Sequence, residues 1–454
     1  MQLDRRLLVA AGLGLPGLGA TAARAQQRAP TAGGAEPVGL SASAFGVHPD
    51  SGRDETQRLQ AAIDRAAERR VPLHLASGRY SVNGLELRSG SRLAGTGPAT
   101  VLQHAGGGPV LRGESITDIV VEDLAIRGGF PLHEGWRGLI ELRGASRIVL
   151  RHAEVELSPM HGIMLERCSG QVTGCRVTGA AKAGIFSLDS QGGLEISHNH
   201  LADIANNGIL VWRSAKGDDG SIVAMNRIER IGTRDGGTGQ NGNGVNVYRA
   251  GGVLVTSNRI VDCAFSAVRA NSASDVQIIA NNIAGMGEVA IYAEFAFEGA
   301  VISGNLIDAA STGISVTNFD HGGRLAVVQG NLVRNLAIHR GPSDPGGYGI
   351  AVEADASISG NTIEGAPTAG LLLGWGKFCR DVAATGNVVR GCGVGIAVTA
   401  DSMAGAVLIA NNLISGSQRG AIRTSDHGRL LGDDLALQSA PGQGRIRVSG
   451  NVVA

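Results

Sequence analysis

Three charged side chains on one predicted strand face could provide acid–base chemistry. Arg269 can neutralise a sugar carboxylate or accept a proton, and Glu294 can act as a general acid or base. Glu353 adds a second carboxyl group, and enzymes that cleave glycosidic bonds use such groups in pairs. We therefore predict Arg269, Glu294 and Glu353 as catalytic residues.

Aromatic and amide side chains share this predicted face with the charged ones. Sugar-binding grooves combine flat apolar rings with hydrogen-bonding groups. The chain has only 15 aromatic residues among 454, so several of them on one face require an explanation. The predicted substrate-binding residues are Trp212, Asn246, Tyr248, Asn271 and Tyr292.

A short repeated phrase indicates the elements that position these residues. It consists of a branched residue, two small or polar residues, Asn, any residue, and then Ile, Leu or Val, as in the segment 196–201. Cys175 replaces the Asn at an earlier position, and successive gaps from Cys175 to Asn411 run from 23 to 32 residues. The Asn positions are Asn199, Asn226, Asn258, Asn281, Asn305, Asn331, Asn361, Asn387, Asn411 and Asn451.

A second phrase, Gly followed by alternating apolar residues, interleaves with the first, as at Gly208 and Gly244. Two short strands in each repeat make a coil, and stacked coils pair every backbone group with its neighbours. The pattern predicts an all-β, single-stranded right-handed parallel β-helix of ~13 coils and ~60 Å over residues 119–454. We expect a column of Asn in left-handed turns at one corner, and the Gly residues at a second turn.

Strand alternation places the candidate residues on the outer surface of this helix. Arg269 and Glu294 fall in adjacent coils, ~5 Å apart, and Glu353 lies two coils beyond Glu294, roughly 10 Å away. That separation is near the upper limit for an inverting pair of carboxyl groups. The alternative is a solvated cross-strand ion pair of Arg269 and Glu294 with little energetic value.

Two long loops flank the same coils, with extra chain at residues 232–243 and 336–348. Loops that emerge beside one face can form the walls of a cleft. Asp218–Asp219 and Asp320–His321 lie in loops after the same strand and could bind Ca²⁺, although such turns are commonly plain turns. No other cofactor is evident.

The N-terminal part divides into three further segments. Residues 1–25 carry Arg5 and Arg6 before a short apolar run, which is typical of a twin-arginine signal, although an ordinary secretory signal can also begin this way. Residues 26–37 read as a flexible lead-in, and residues 38–118 as a cap with a helix and the first strands. Asp54 is its predicted N-cap, and Leu59, Ala62, Ile63, Ala66 and Ala67 form its apolar face.

Composition excludes several classes of partner. Forty basic residues balance forty acidic ones, so no bulk charge favours nucleic acid. No stretch approaches the ~20 apolar residues of a membrane span. The five Cys are odd in number and match no zinc spacing, and we expect them as buried thiols in a periplasmic or secreted protein.

The segment from Phe45 through Asp54 and Ile63 to the residues 75–80 resembles the N-terminal cap of the pectate lyase and polygalacturonase superfamily. With the Arg pair and the Asn-containing coils, the whole chain is similar to the family of twin-arginine-translocated repeat proteins of uncharacterised function. The resemblance implies a pectin-lyase-like β-helix and contact with the export machinery, but it supplies no catalytic residues.

Two function classes therefore remain open. The first is a carbohydrate-active enzyme, a polysaccharide lyase or glycoside hydrolase, that acts on an acidic or cell-envelope polysaccharide. The second is a non-catalytic rod that binds glycan or protein along one face. A walled cleft with a perturbed carboxyl group indicates the first class, whereas an open aromatic stripe indicates the second.

Overall fold

The computed structural model describes residues 39–338, 346–437 and 444–454. They form an all-β, right-handed parallel solenoid of about 14 turns, which confirms the predicted fold class. Each full turn contributes one strand to each of three sheets, and not the two strands predicted from the repeat; the sheets hold 16, 15 and 15 strands within these described ranges. The predicted signal and lead-in lie outside the described residues, as do residues 339–345 of the second long loop.

The three sheets are called the first, second and third sheet throughout. The first sheet contains Leu40–Ser41, Leu73–His74, Arg92–Ala94, Thr117–Glu122, Ser146–Arg151, Gly170–Thr173, Leu194–Ser197, Ile222–Ala224, Leu254–Thr256, Val276–Ile279, Glu298–Ser303, Arg324–Gln329, Ala354–Ser359, Arg380–Thr385, Val407–Ala410 and Ile446–Ser449. The second sheet contains Leu85–Glu86, Leu111–Glu114, Gly138–Arg143, His161–Glu166, Ala183–Leu188, Asn207–Asp218, Asn243–Gly251, Val268–Asn271, Val289–Glu294, Thr312–Val316, Tyr348–Val352, Ala369–Leu373, Val394–Thr399, Ile422–Asp426 and Arg429–Leu431. The third sheet contains Gly78–Val82, Thr100–His104, Ala125–Arg127, Glu154–Glu156, Arg176–Thr178, His200–Ile204, Arg227–Ile231, Arg259–Cys263, Asn282–Met286, Leu306–Asp308, Leu332–Arg334, Thr362–Glu364, Val388–Arg390, Leu413–Ser415 and Val452–Val453. In the described chain only the last strand of the second sheet pairs antiparallel.

A ladder of Asn side chains fixes the corner between the first and third sheets. The Oδ1 of Asn281 accepts both the backbone N–H and the Nδ2 of Asn258, each at 3.0 Å, and the same pattern recurs from coil to coil. These buried amides satisfy backbone groups that the turns leave without strand partners. The predicted Asn column is therefore present.

The structure corrects two details of this corner. The ladder contains Asn412, not the predicted Asn411, because the ladder residue must follow the inward Ile409 by three positions. The left-handed residue is the one before the ladder Asn, as at Ala280 with φ 56° and Asn411 with φ 57°. The ladder Asn itself can then point inward and bond along the axis.

The Gly phrase has a different cause from the predicted turn. Gly208 and Gly244 lie inside strands of the second sheet and have no left-handed backbone. A Cβ at Gly208 would stand 2.4 Å from the carbonyl oxygen of Gly244 and 2.8 Å from Ile228 Cγ2. Gly is required here because adjacent coils approach too closely for a side chain.

The N-terminal helix spans Thr56–Arg69 and buries the predicted apolar face against the first coils. It begins two residues after the predicted N-cap, and Glu55 occupies the N-cap position. Asp54 still accepts the backbone N–H of Thr56 at 2.8 Å, so its side chain satisfies an open donor of the first turn. This helix covers core that the first coils would otherwise expose.

Small and branched side chains fill the interior of the solenoid. Ile, Val, Leu and Ala from all three sheets form one continuous apolar cluster. All five Cys are buried and unpaired, as expected from the sequence. No helix among the described residues has both the length and the apolar character needed to cross a bilayer.

Candidate functional site

The outer face of the second sheet carries the predicted site residues in the predicted register. Arg269 lies beside Tyr292 in the next coil, and Asn271 lies beside Glu294. One coil earlier, Asn246 lies beside Arg269, and Tyr248 lies beside Asn271. The predicted residues therefore occupy two adjacent columns that run along the helix axis.

Arg269 and Glu294 form a buried ion pair at the centre of this face. The guanidinium Nε donates to Glu294 Oε1 at 2.6 Å, and Asn271 Nδ2 donates to the same oxygen at 3.0 Å. Their side chains are 9% and 2% exposed, so this is not the solvated pair that the sequence left open. A pair so well removed from water is costly to break, because the remaining charge would stay buried.

The first long loop covers this ion pair. Gly239, in the segment between the strands Asn207–Asp218 and Asn243–Gly251, lies so close that a Cβ there would stand 1.8 Å from Arg269 Nη1. Its φ of 142° also disfavours other residues. The loop at 232–243 therefore covers the outer face at Arg269, but none of its residues lines the neighbouring cavity, so its role as a cleft wall stays a prediction.

A cavity of about 220 Å³ adjoins the ion pair on its C-terminal side. Aromatic rings, hydroxyl groups and two carboxyl groups line it. Its lining residues with side-chain functional groups are Glu288, Tyr292, Ser311, Thr312, Ser315, Thr317, Tyr348, Glu353 and Trp375. Of the predicted residues, only Tyr292 and Glu353 contribute to this lining.

Glu353 is the titratable group that this environment changes most. It is 8% exposed, and burial raises the pKa of its carboxyl group to about 7. The backbone N–H of Phe319 donates to Oε2 at 2.6 Å, which lowers the pKa, but this effect is smaller than that of burial. A large fraction of Glu353 is therefore protonated near neutral pH.

Tyr292 connects the cavity to the ion pair. The Cζ of Arg269 lies 5.0 Å from the centroid of the Tyr292 ring, which is a cation–π distance. Burial, followed by the charge of Glu294, raises the pKa of Tyr292 to about 12. Its hydroxyl group, which is hydrogen-bonded with Thr317, therefore stays neutral and available as a donor.

The other predicted binding residues form an aromatic row N-terminal to the ion pair. Phe186 and Trp212 have ring centroids 5.4 Å apart, and Trp212 and Tyr248 have centroids 5.5 Å apart, both edge to face. Trp212 Nε1 donates to Asn246 Oδ1 at 3.1 Å. Trp212 and Tyr248 are partly exposed. We call Phe186, Trp212 and Tyr248 the aromatic row; none of them lines the cavity.

Seven of these nine lining residues were not predicted as site residues, and the three largest of the seven are Glu288, Tyr348 and Trp375. Glu288 precedes its strand and Trp375 follows its strand by two residues, so neither enters the alternating outer register. Tyr348 is the first residue of its strand and shares the parity of the inward Ile350, yet it packs with the outer Ala351 and lines the cavity. The chain contains only three Trp, and this scarcity is the one sequence signal by which Trp375 could have been found.

The metal prediction receives no support from a ligand set. No group of three or more His, Cys, Asp or Glu is placed to hold a metal ion within the described ranges. Asp219, in one of the two predicted Ca²⁺ loops, directs Oδ1 to the backbone N–H of Ser221 at 3.2 Å and also to its hydroxyl group. Binding of Ca²⁺ stays a prediction.

A larger groove of about 1110 Å³ lies on the outer face of the first sheet. Its floor includes exposed Val301 and Val327, and Arg324, Asp355 and Arg380 lie at its edge. The carboxylate of Asp355 pairs with both guanidinium groups, at 3.1 and 2.7 Å. Both guanidinium groups are thus already engaged by a carboxylate, whereas burial raises the pKa of Glu353 in the smaller cavity, so the smaller cavity is the better candidate for chemistry.

The family model of the right handed beta helix region matches residues 81–228 and 218–379. These ranges cover more than half of the chain. The chain belongs to the right-handed β-helix family. A search of curated protein sequences found no match for this β-helix.

Solved structures resemble this β-helix in fold. The N-terminal fragment of bacteriophage phi29 gene product 12 has a TM-score of 0.50 and 15% identity, over 92% of this chain and 71% of that one. The pre-mature form of the same gene product also has a TM-score of 0.50 and 15% identity, over 85% of this chain and 55% of that one. The catalytic unit of a thermostable GH87 alpha-1,3-glucanase from Streptomyces thermodiastaticus strain HF3-3 has a TM-score of 0.47 and 17% identity, over 92% and 68%. At 15% identity, the two gene product 12 structures show likeness of fold alone.

Proposed function

We propose that this β-helix binds a polysaccharide along the outer face of its second sheet and hydrolyses a glycosidic bond in the cavity at Glu353. The observation that carries the proposal is the Glu353 carboxyl group. It faces a cavity of about 220 Å³ and has a pKa of about 7. A protonated carboxyl group at neutral pH can donate its proton to the oxygen of a leaving sugar.

The cavity has the size and the lining for one sugar ring. Its volume lies below the ~300–1,000 Å³ of sites for drug-sized ligands, so it accommodates a single ring and not an oligosaccharide. Trp375 and Tyr348 supply aromatic surface, and Ser311, Ser315 and Thr317 supply hydroxyl groups. Further sugar units of a bound chain would extend along the face toward the aromatic row.

Hydrolysis fits this cavity better than elimination does. A lyase needs a cation that neutralises the carboxylate of a uronate. Among the described lining residues the only charged side chains are Glu288 and Glu353. Arg269, the predicted cation, is held by Glu294 beside the cavity. Catalytic roles for Arg269 and Glu294 remain predictions, and we assign them first to positioning Tyr292.

Export belongs to the same proposal. Arg5 and Arg6 precede a short apolar run, which favours translocation by the twin-arginine machinery into the periplasm. The substrate would then be a cell-envelope or environmental glycan. Replacing Arg5 and Arg6 with Lys and fractionating the cells tests this step: retention in the cytoplasm is expected, and unchanged export would contradict it.

A polysaccharide panel followed by product analysis tests the activity. The full chain is incubated with each polysaccharide, and new reducing ends and unsaturated ends are measured separately. Reducing ends without unsaturated ends are expected for a hydrolase. Unsaturated ends would instead identify a lyase and refute the assignment of Glu353 as donor to a leaving oxygen in hydrolysis.

A non-catalytic glycan-binding rod is the second candidate. It is favoured by the aromatic row, in which Trp212 and Tyr248 are partly exposed and held edge to face. It is also favoured by the hydrogen bond that Glu353 accepts from Phe319, which is a structural role for that carboxyl group. Binding without any product in the panel would indicate this rod.

A further inference from the structure

The charged groups at the cavity are unequal in sign. Glu288 and Glu353 both line it, and its described lining contains no Lys, Arg or His. Hydroxyl groups and aromatic rings make up the other polar surface. A ligand that enters this space leaves water and meets carboxyl groups in a low effective dielectric, where charge matters more than it does in solution.

The nearest guanidinium that contacts the lining already has acidic partners. Arg269 Nε donates to Glu294 Oε1 at 2.6 Å, and Arg269 Nη1 lies 3.6 Å from Glu288 Oε2. The loop at Gly239 lies against its outer side. Arg269 is therefore engaged by two carboxyl groups and does not line the cavity, which disfavours the role expected from sequence, in which it neutralises a uronate.

We propose that the cavity selects a sugar ring that bears an amino group, and that it discriminates against uronates. A protonated amine would lie near the carboxyl groups of Glu288 and Glu353 and donate up to three hydrogen bonds. A uronate would add a further negative charge beside Glu288, whose one nearby cation in the described chain, Arg269, is already shared with Glu294, and this is a strong penalty in a desolvated site. This inference rests on the proposed function, because it names the substrate class of the same cavity.

Matched monosaccharides test the charge preference directly. The probes are the methyl glycosides of an amino sugar, the corresponding neutral hexose and the corresponding uronate, in both gluco and galacto configurations. Their dissociation constants for the full chain are measured by NMR titration at pH 6 and low salt. We expect the amino sugar to bind about tenfold tighter than the neutral sugar, and the uronate at least tenfold weaker than the neutral sugar.

Glu288→Gln is the diagnostic variant, because it removes one charge from the lining and keeps the side-chain volume. We expect it to reduce the ratio of amino to neutral affinity to threefold or less. Glu298→Gln is the matched control: Glu298 is an exposed acid on the first sheet that pairs with Arg324, and its removal should leave the ratio unchanged. If Glu288→Gln does not fold, the ionic-strength dependence of the wild-type ratio replaces it, since a charge-based preference shrinks with added salt.

The outcomes separate this inference from the function on which it rests. Equal affinity for amino and neutral sugars, an amino preference that neither Glu288→Gln nor salt diminishes, or tighter binding of the uronate would overturn the charge preference while leaving a sugar site in place. Failure of every sugar and of every polysaccharide in the panel to bind would overturn the proposed function as well. The expected ranking, diminished in Glu288→Gln alone, supports both.

Discussion

The outer faces of the first and second sheets use carboxyl groups in opposite ways, although two of these groups are only two residues apart. Glu353 follows a strand of the second sheet and faces the cavity, where burial raises its pKa to about 7. Asp355 lies in the next strand, at the groove of the first sheet, where hydrogen bonds from Arg380 and Arg324 lower its pKa. The chain turns a corner between them.

The contrast shows what a carboxyl group needs in order to hold a proton at neutral pH. Asp355 is also largely removed from water, with a side chain 12% exposed, but two guanidinium groups stabilise its charge. Glu353 accepts hydrogen bonds from backbone donors only, and the negative charge of Asp320 further raises its pKa. Burial without a cation therefore yields a proton donor, and burial with two cations yields a structural link between coils.

The largest expected effect comes from removing the proton at Glu353. Glu353→Gln should reduce turnover on the substrate identified by the panel by about 10²–10⁴-fold, the usual contribution of a general acid. Asp355→Asn, the matched change on the other face, should leave turnover within about threefold and lower the melting temperature instead. Initial rates and thermal denaturation of both variants check this pair, and equal loss of turnover in both would remove the distinction between the faces.

The next effect concerns stability. Glu294→Ala leaves the buried guanidinium of Arg269 without its closest partner, and we expect a loss of about 3–5 kcal/mol in the free energy of unfolding. Glu298→Ala breaks an exposed pair with Arg324 on the first sheet and should cost at most about 1 kcal/mol. Chemical denaturation of the two variants measures the difference. Similar losses would show that the buried ion pair on the second sheet contributes no more to stability than the exposed pair on the first sheet.

The pH dependence of stability has opposite signs on the two faces. Above the unfolded pKa of Glu353, 4.5, the unfolded chain releases its proton while the folded protein retains it up to about pH 7. Stability should therefore fall by about 3 kcal/mol as pH rises through this range, and change no further above it. Asp355, whose pKa is lowered, adds stability above its unfolded value of 3.8 that is lost in acid.

Unfolding free energies at pH 5 and pH 8 isolate the Glu353 contribution when wild type is compared with Glu353→Gln. The variant should lack the decline of about 3 kcal/mol that we expect of wild type. The pH profile of turnover should fall above about pH 7 for the same reason. An identical pH dependence of stability in both proteins would show that the folded protein does not raise the pKa of Glu353.

The smallest effect concerns the aromatic row. Trp212→Ala should weaken binding of a long polysaccharide by about three- to tenfold, because one aromatic contact contributes on the order of 1 kcal/mol. Val327→Ala, in the apolar groove of the first sheet, should change affinity by less than twofold. Affinity electrophoresis of both variants distinguishes them, and the reverse order would make the first-sheet groove the glycan surface.

The sequence was sufficient for features that repeat. The coil, the Asn ladder and the outer register follow from spacing, so the contact of Arg269 with Glu294 could be expected before any coordinates. A one-residue error at Asn411 arose where two Asn are adjacent, because only the inward Ile409 fixes the phase. Periodicity determines which way a strand residue points.

Features that depend on loops could not be read from spacing. Glu288 and Trp375 stand outside the strand register, yet both line the cavity. Glu353 accepts a hydrogen bond from the turn at Phe319 in the preceding coil, and Trp375 from the next coil lines the same cavity. Burial of this kind is a property of several coils together, and no single repeat carries a signal for it.

The most direct test of a glycan site at Glu353 is the crystal structure of Glu353→Gln soaked with the oligosaccharide that wild type turns over. We expect one sugar ring inside the cavity, with its glycosidic oxygen within hydrogen-bond distance of residue 353 and its ring against Trp375. A sugar bound only in the groove beside Asp355, with the cavity at Glu353 empty, would contradict it.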